Sequence, residues 1–139
     1  MIDRTDYYEA KLAYETDPSD VYAAFKAGNS VLVVDVRSDE AWAQGRVAGA
    51  VHMHYSEIVR RAPAEIARDI EVVVYCWSPG CNAGAKAALE FARLGYEVRE
   101  MIGGFEYWVR EGYPVEDADG VHHRPVDALT GIARIRTRA

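Results

Sequence analysis

An α/β fold is predicted, three layers deep, with a central parallel sheet of about five strands and helices on both of its faces. Three observations lead there. Val31–Val36 and Val72–Tyr75 are continuous runs rich in β-branched residues, with almost no polar face. Such runs mark strands buried on both sides, which is the situation inside a parallel sheet. Helical patterns alternate with these strands along the chain. Finally, Cys76 stands where the second run ends and a glycine-containing loop opens a helix, in VVVYCWSPGCNAGAKAALEFARLG. In open parallel sheets, ligands bind at the carboxyl ends of the strands.

The elements follow in order. Tyr7–Tyr14 is predicted as a short helix within an N-terminal lead-in, residues 1–18. Asp17-Pro18-Ser19 pairs a capping residue with an early proline, so a helix is expected over Ser19–Lys26, stopping at Gly28-Asn29. The strand Val31–Val36 comes next. Asp39–Ala43 is a short helix ending near Gly45, and Ala50–His54 a short strand. Ser56–Ala62 and Ala64–Asp69 read as two helices separated by Pro63, because proline removes a helical donor and clashes with the preceding turn. After Val72–Tyr75, a helix over Gly84–Leu94 closes at Gly95. Val98–Met101 is a further strand. Gly103-Gly104 breaks the chain before a helix over Phe105–Arg110. Residues 116–139 are expected to form an irregular extension with a turn at Asp119-Gly120. Its Leu129–Ile135 stretch offers some apolar surface for docking onto the domain or a neighbour.

Composition narrows the function. The 139 residues suit one domain, and half are hydrophobic, enough for a core without disulfides or metals. Net charge is −6, which argues against nucleic-acid binding. No apolar run approaches a membrane span, and the acidic N-terminus lacks the apolar core of a signal peptide. A cytoplasmic setting is therefore expected, where thiols stay reduced. Charge is uneven: residues 1–20 carry six acids and two bases, whereas residues 122–139 carry Arg124, Arg134, Arg136 and Arg138 against Asp127. The extension is thus a candidate contact for the acidic N-terminus or for a second copy in a homodimer, with a solvated terminus as the plainer reading.

Cys76 is the candidate nucleophile. A thiol at a strand end, beside a tight loop and a helix N-terminus, faces unpaired backbone N–H groups and a positive dipole end. Both stabilise a thiolate or an anion carried on the sulfur. The plainer reading is a small buried hydrophobe. Cys81 follows at Cys-x-x-x-x-Cys spacing, which is not that of paired zinc knuckles. The histidines at 52, 54, 122 and 123 lack supporting carboxylates or thiols, so no metal and no cofactor is expected.

Three segments together resemble the rhodanese family of sulfurtransferases. VVDVRSDEAWAQGRVAGAVHM, residues 33–53, is similar to that family's Asp-x-Arg strand end, followed by an aromatic and then a Gly-His-Ile-Pro-Gly-Ala element. VVYC and its loop, residues 73–82, fall where the family carries its catalytic cysteine. GGFEYW, residues 103–108, is similar to its closing Gly-Gly-aromatic-x-x-Trp element. The resemblance covers residues 19–115. It implies the rhodanese-like three-layer fold and a Cys76 persulfide, loaded from a small-molecule sulfane-sulfur donor such as thiosulfate and passed to a thiol or cyanide-type acceptor. It implies an active-site loop of Trp77, Ser78, Pro79, Gly80, Cys81, Asn82 and Ala83, supported by Asp35, Arg37, Gly103 and Gly104. Asp35 and Arg37 then tie the sheet to the loop rather than act on substrate, and Trp108 and Phe105 belong to the core.

The chain departs from the family at several positions. Arg46 and Ala48 replace a histidine and a proline. The sixth loop position, usually arginine or threonine, is Cys81, and no arginine lies between Cys76 and Gly84, which weakens the expected grip on a dianion. Lys86, one turn into the helix, is a candidate substitute, though a surface lysine is the simpler reading. Cys81 is open to three readings: a buried filler, a resolving thiol, or the sulfur carrier itself. The competing function is a non-catalytic module that binds a partner or senses redox state through Cys76 and Cys81. A cysteine phosphatase on the same scaffold is disfavoured, because phosphate needs an arginine to grip its oxygens.

Overall fold

The computed structural model describes residues 1–132. In chain order the elements are α1 (Arg4–Tyr14), β1 (Glu15–Thr16), α2 (Pro18–Lys26), β2 (Val31–Asp35), α3 (Asp39–Gln44), β3 (Arg46–Val47), β4 (Val51–His52), α4 (Ile58–Glu65), β5 (Glu71–Tyr75), α5 (Ala83–Arg93), β6 (Val98–Met101), α6 (Gly104–Arg110), β7 (Val115–Asp117) and β8 (Gly120–His122). A single 3-10 turn, Tyr55–Glu57, leads into α4. The main sheet has five strands in the order β1-β6-β5-β2-β4. Every pairing in it is parallel.

Side-chain alternation along the central strands builds the two outer layers. Val34, Val36, Val72, Val74 and Cys76 face α4 and α5, against Ile58, Ala62, Ala87 and Phe91. Val33, Val73 and Tyr75 face the opposite side, where Val21, Met101 and Trp108 complete the core. Both faces of β2 and β5 are therefore dry, which is why their sequences carry valine at successive positions.

Helix starts follow their caps. Asp17 Oδ1 accepts from the Asp20 N–H at 2.9 Å, with Pro18 in the first turn. Ser38 caps α3 in the same way, and Asp3 caps α1, which starts three residues before the predicted Tyr7. The predicted strand Ala50–His54 contracts to two residues.

Two expectations are corrected. Pro63 does not separate two helices: α4 runs through it and stops at Glu65. In so short a helix proline costs a single backbone bond, and the chain turns extended at Ile66 to bury that side chain beside Ala62. The Ala62 carbonyl accepts from the Ile66 N–H at 2.9 Å, and the single proton of the Tyr96 hydroxyl, 2.7 Å from the Ile66 carbonyl and 2.9 Å from that of Ala62, serves the carbonyls where the helix ends. No separate helix forms over Ala64–Asp69: Ala64 and Glu65 are the last residues of α4 and the chain leaves the helix after them. The other correction is at the C-terminal side. The stretch from residue 116 opens with a hairpin: β7 and β8 pair antiparallel, and β7 pairs with β3 in a second, three-stranded sheet. Asp117 Oδ1 accepts from the Asp119 N–H inside the turn, and Gly120 takes a positive φ of 106°. Beyond the hairpin the chain crosses the end of α6, where the Asp127 N–H donates to the Arg110 carbonyl at 2.7 Å. Ile135 and the arginines at 134, 136 and 138 lie outside the described residues.

Candidate active site

β5 delivers Cys76 to the carboxyl end of the sheet. The thiol position is 6% exposed and packs among the α5-side core residues. The loop then curls back. The Cys81 N–H donates to the Ser78 carbonyl at 3.0 Å, and Cys76 and Cys81 are joined by a disulfide with Cα atoms 6.4 Å apart. α5 starts two residues later. Asn82, at its cap position, makes no side-chain capping bond, so no side chain competes for the first-turn N–H groups next to the loop.

Gly103 and Gly104 hold the loop from the other side, at φ +86° and +66°. The Phe105 N–H donates to the Cys76 carbonyl at 2.9 Å and the Glu106 N–H to the Trp77 carbonyl at 2.8 Å. These bonds need backbone against backbone. A Cβ on Gly104 would lie 2.7 Å from the Cys76 oxygen and 2.9 Å from the Ser78 nitrogen. Only glycine fits there, on grounds of both space and backbone angle.

Beneath the loop lies a buried polar network. Asp35 Oδ1 accepts from the Arg37 backbone N–H and Nε, and Oδ2 accepts from Arg37 Nη2 at 2.7 Å and from the Tyr75 hydroxyl at 2.5 Å. Arg37 Nη2 also donates to the Gly45 carbonyl. The guanidinium packs against two aromatic rings set edge-on to each other, 4.4 Å from the Trp77 centroid and 4.5 Å from that of Phe105. Burial, and then the charge of Asp35, push the Tyr75 hydroxyl far above its ordinary pKa. It therefore stays protonated and donates permanently. Trp77 is 41% exposed and covers Arg37.

A cavity of about 270 Å³ opens over the two sulfurs, lined by Cys76, Ser78, Pro79 and Cys81, by Met101 to Gly104, and by Lys11, Glu15 and Glu100. Trp77, Gly80, Asn82 and Ala83 belong to the loop but do not line this space. Lys86 is exposed on α5 and does not line it either. The charged wall comes instead from α1 and two strands. Glu15 and Glu100 are register partners on neighbouring strands, and Lys11 Nζ donates to Glu15 Oε1 at 2.6 Å. The Glu100 carboxyl is pushed above its ordinary pKa, first by burial and then by Glu15. With both carboxylates ionised the wall is net negative. Sequence reasoning missed all three residues. The Lys11/Glu15 spacing of four was visible as a helical ion pair, but nothing local says that it faces Cys76.

The histidines have other employment. His52 Nε2 lies 2.7 Å from the Arg37 carbonyl, His54 bonds Ser56, and His122 bonds Asp117. Among the described residues no three His, Cys, Asp or Glu side chains gather as a metal site.

A thiol raised on a strand end, a loop clamped by a Gly-Gly turn and a parallel sheet with helices on both faces define a rhodanese-type domain. The rhodanese-like domain family model matches residues 17–111, and the chain belongs to that family. The chain is 35% identical over 111 residues to the thiosulfate sulfurtransferase GlpE of Actinobacillus succinogenes, covering 77% of this chain and 94% of that one. It is 32% identical over 98 residues to a helix-turn-helix-type transcriptional regulator of Mycobacterium tuberculosis. That match takes in 70% of this chain and only 43% of the regulator. Among solved structures, the BH2092 protein of Bacillus halodurans superposes with a TM-score of 0.78 at 33% identity, over 96% of this chain and 92% of that one.

Proposed function

We propose that the protein is a sulfurtransferase that carries sulfane sulfur as a persulfide on Cys76. The observation that carries this reading is the position of Cys76: at the end of β5, in a backbone-clamped loop, opening onto a cavity. In the reduced protein the Cys76 thiolate attacks the outer sulfur of thiosulfate. The S–S bond of the donor breaks, sulfite leaves with the electron pair, and Cys76–S–S⁻ remains. A thiol or cyanide-type nucleophile then attacks the outer persulfide sulfur and regenerates the thiolate. The chain's part is to hold the loop so that N–H donors meet the anionic sulfur without rearranging, which is how preorganised sites lower barriers.

The partners proposed are a small-molecule donor and acceptor in the cytoplasm, with neither nucleic acid nor membrane; no helix among the described residues is long and apolar enough to cross a membrane. The extension from residue 116 onward is the candidate surface for a homodimer. The test is thiocyanate formation from thiosulfate and cyanide by prereduced protein. Turnover abolished by Cys76→Ser is expected. Equal turnover in that variant would reject the reading.

A second reading has one observation in its favour. The Cys76–Cys81 disulfide also suits a redox-sensing or binding module in which no sulfur is transferred. In that case prereduced protein would form the disulfide in mild peroxide yet give no thiocyanate.

A further inference from the structure

The sulfurtransferase reading leaves Cys81 without a task, and the loop geometry gives it one. The two cysteines are five positions apart with Cα atoms 6.4 Å apart, inside the span that a disulfide bridges without moving backbone. The loop is fixed in that shape by bonds independent of the sulfurs: Cys81 N–H to Ser78, Phe105 N–H to Cys76, and Glu106 N–H to Trp77. The two thiols therefore meet whenever both are reduced. Disulfides in reducing compartments are mostly transient catalytic or redox devices.

Burial separates the two sulfurs of a Cys76 persulfide. The inner one, Cys76 Sγ, belongs to a residue that is 6% exposed and packed in the core. An external acceptor coming through the cavity meets the outer sulfur. Cys81 shares the cavity wall and reaches the inner one from within the loop. An intramolecular thiol acts at an effective concentration of roughly millimolar or more, so it competes with dilute external acceptors.

We propose that Cys81 resolves the Cys76 persulfide, releasing hydrogen sulfide and closing the Cys76–Cys81 disulfide, so that the protein also acts as a thiol-dependent reductase of sulfane sulfur. This rests on the sulfurtransferase reading. The Cys81 thiol gives its proton to the outer sulfur of the Cys76–S–S⁻ anion and its thiolate attacks Cys76 Sγ; the new S–S bond forms, the bond from Cys76 Sγ to the sulfane sulfur breaks, and HS⁻ leaves with the electron pair. The two cysteines are oxidised and the sulfane sulfur is reduced to sulfide. An external thiol then reduces the disulfide by exchange through a mixed disulfide. Thiosulfate and two thiols thus give sulfite, hydrogen sulfide and one disulfide. A Cys76–Cys81 disulfide, the pairing present in the structure, is the product of the first half of this cycle.

The experiment is a single turnover. Prereduced protein, freed of reductant, is mixed with sodium thiosulfate or, in parallel, with cysteine hydropersulfide. Sulfide is measured along with the masses of the protein and its peptides. About one equivalent of sulfide, appearing in step with the Cys76–Cys81 disulfide, is expected from wild type. Cys81→Ser, with Cys81→Ala as a second variant should serine perturb the loop, is expected to keep the sulfur on Cys76 and release no sulfide until dithiothreitol is added. A wild-type protein that holds a stable Cys76 persulfide with Cys81 still open to alkylation would overturn the inference and leave the sulfurtransferase reading standing. Sulfur retained on Cys81 would overturn it as well. Failure of wild type and both Cys81 variants to take sulfur from either donor would overturn both.

Discussion

The two sides of the Cys76 loop are built on opposite principles. On one side Asp35, Arg37 and Tyr75 form a dry network, closed over by Trp77 and Phe105. On the other, Lys11, Glu15 and Glu100 stand around an open cavity whose wall also includes Cys76 and Cys81. The first side is inaccessible to a substrate and fixes where the loop sits. The second is open and carries charge, and in the proposed function it is the side from which a donor approaches Cys76. A charged residue near Cys76 is therefore no guide to chemistry until its side of the loop is known. The fully buried Arg37 belongs to the scaffold, and the lysine that faces the site comes from a helix far away in sequence.

Breaking the dry side should have the largest effect. Asp35→Ala leaves the Arg37 guanidinium buried without its carboxylate and Tyr75 without its acceptor. Removing one partner of a buried pair costs about 3–5 kcal/mol, and denaturant unfolding should show a loss on that scale, with activity falling as the loop is released. Stability within about 1 kcal/mol of wild type, the range of an exposed pair, would contradict the scaffold role.

Gly104→Ala tests the hinge between the two sides. The added carbon meets the Cys76 carbonyl in a backbone conformation that alanine avoids. A stability loss of about 1–3 kcal/mol is expected, together with at least a tenfold slower loading of sulfur on Cys76. Unchanged loading kinetics would show that the Gly-Gly clamp does not position the sulfur.

Glu100→Gln tests the open side, with smaller effects. Removing a negative charge from the cavity wall should lower the KM for thiosulfate severalfold and leave the fold intact. It also carries a pH signature. The folded pKa of Glu100 lies above its ordinary value of 4.5, so the folded protein binds that proton more tightly than the unfolded chain. Its contribution to stability is therefore fully present at low pH and is lost as pH rises through the raised value. The Tm of wild type relative to Glu100→Gln should fall with increasing pH across that window. A constant difference would show that Glu100 titrates alike in both states. Smallest of all, Asp17→Ala removes the α2 cap, which lies beside Pro79 and Gly103 but belongs neither to the buried Asp35 network nor to the wall of the cavity over Cys76. It should cost about 1 kcal/mol in unfolding and leave sulfur transfer unaltered.

The same division explains what the sequence revealed. The central strands were legible because β2 and β5 are buried on both faces in their middle, where they carry unbroken valine runs between Glu71 and Tyr75 and up to Asp35. Gly103-Gly104 and the Cys76 loop were legible because close backbone contact and a strand-end thiol leave a local mark. The cavity wall was not, since Glu15 meets Glu100 only through the β1–β6 register, and two-residue strands carry no periodicity. The hairpin of β7 and β8 was hidden for the same reason: its strands are three residues long and mostly charged or exposed. At Pro63 a sound local rule gave the wrong boundary, because burial of Ile58, Ala62 and Ile66 against α5 outweighed one missing backbone bond.

The most direct test of the account is the intact mass and peptide map of reduced Cys81→Ser protein after brief exposure to thiosulfate. The account predicts a gain of one sulfur atom, located on Cys76 and removed by cyanide. Protein that gains no sulfur from thiosulfate or from a hydropersulfide, or that gains it away from Cys76, would contradict it.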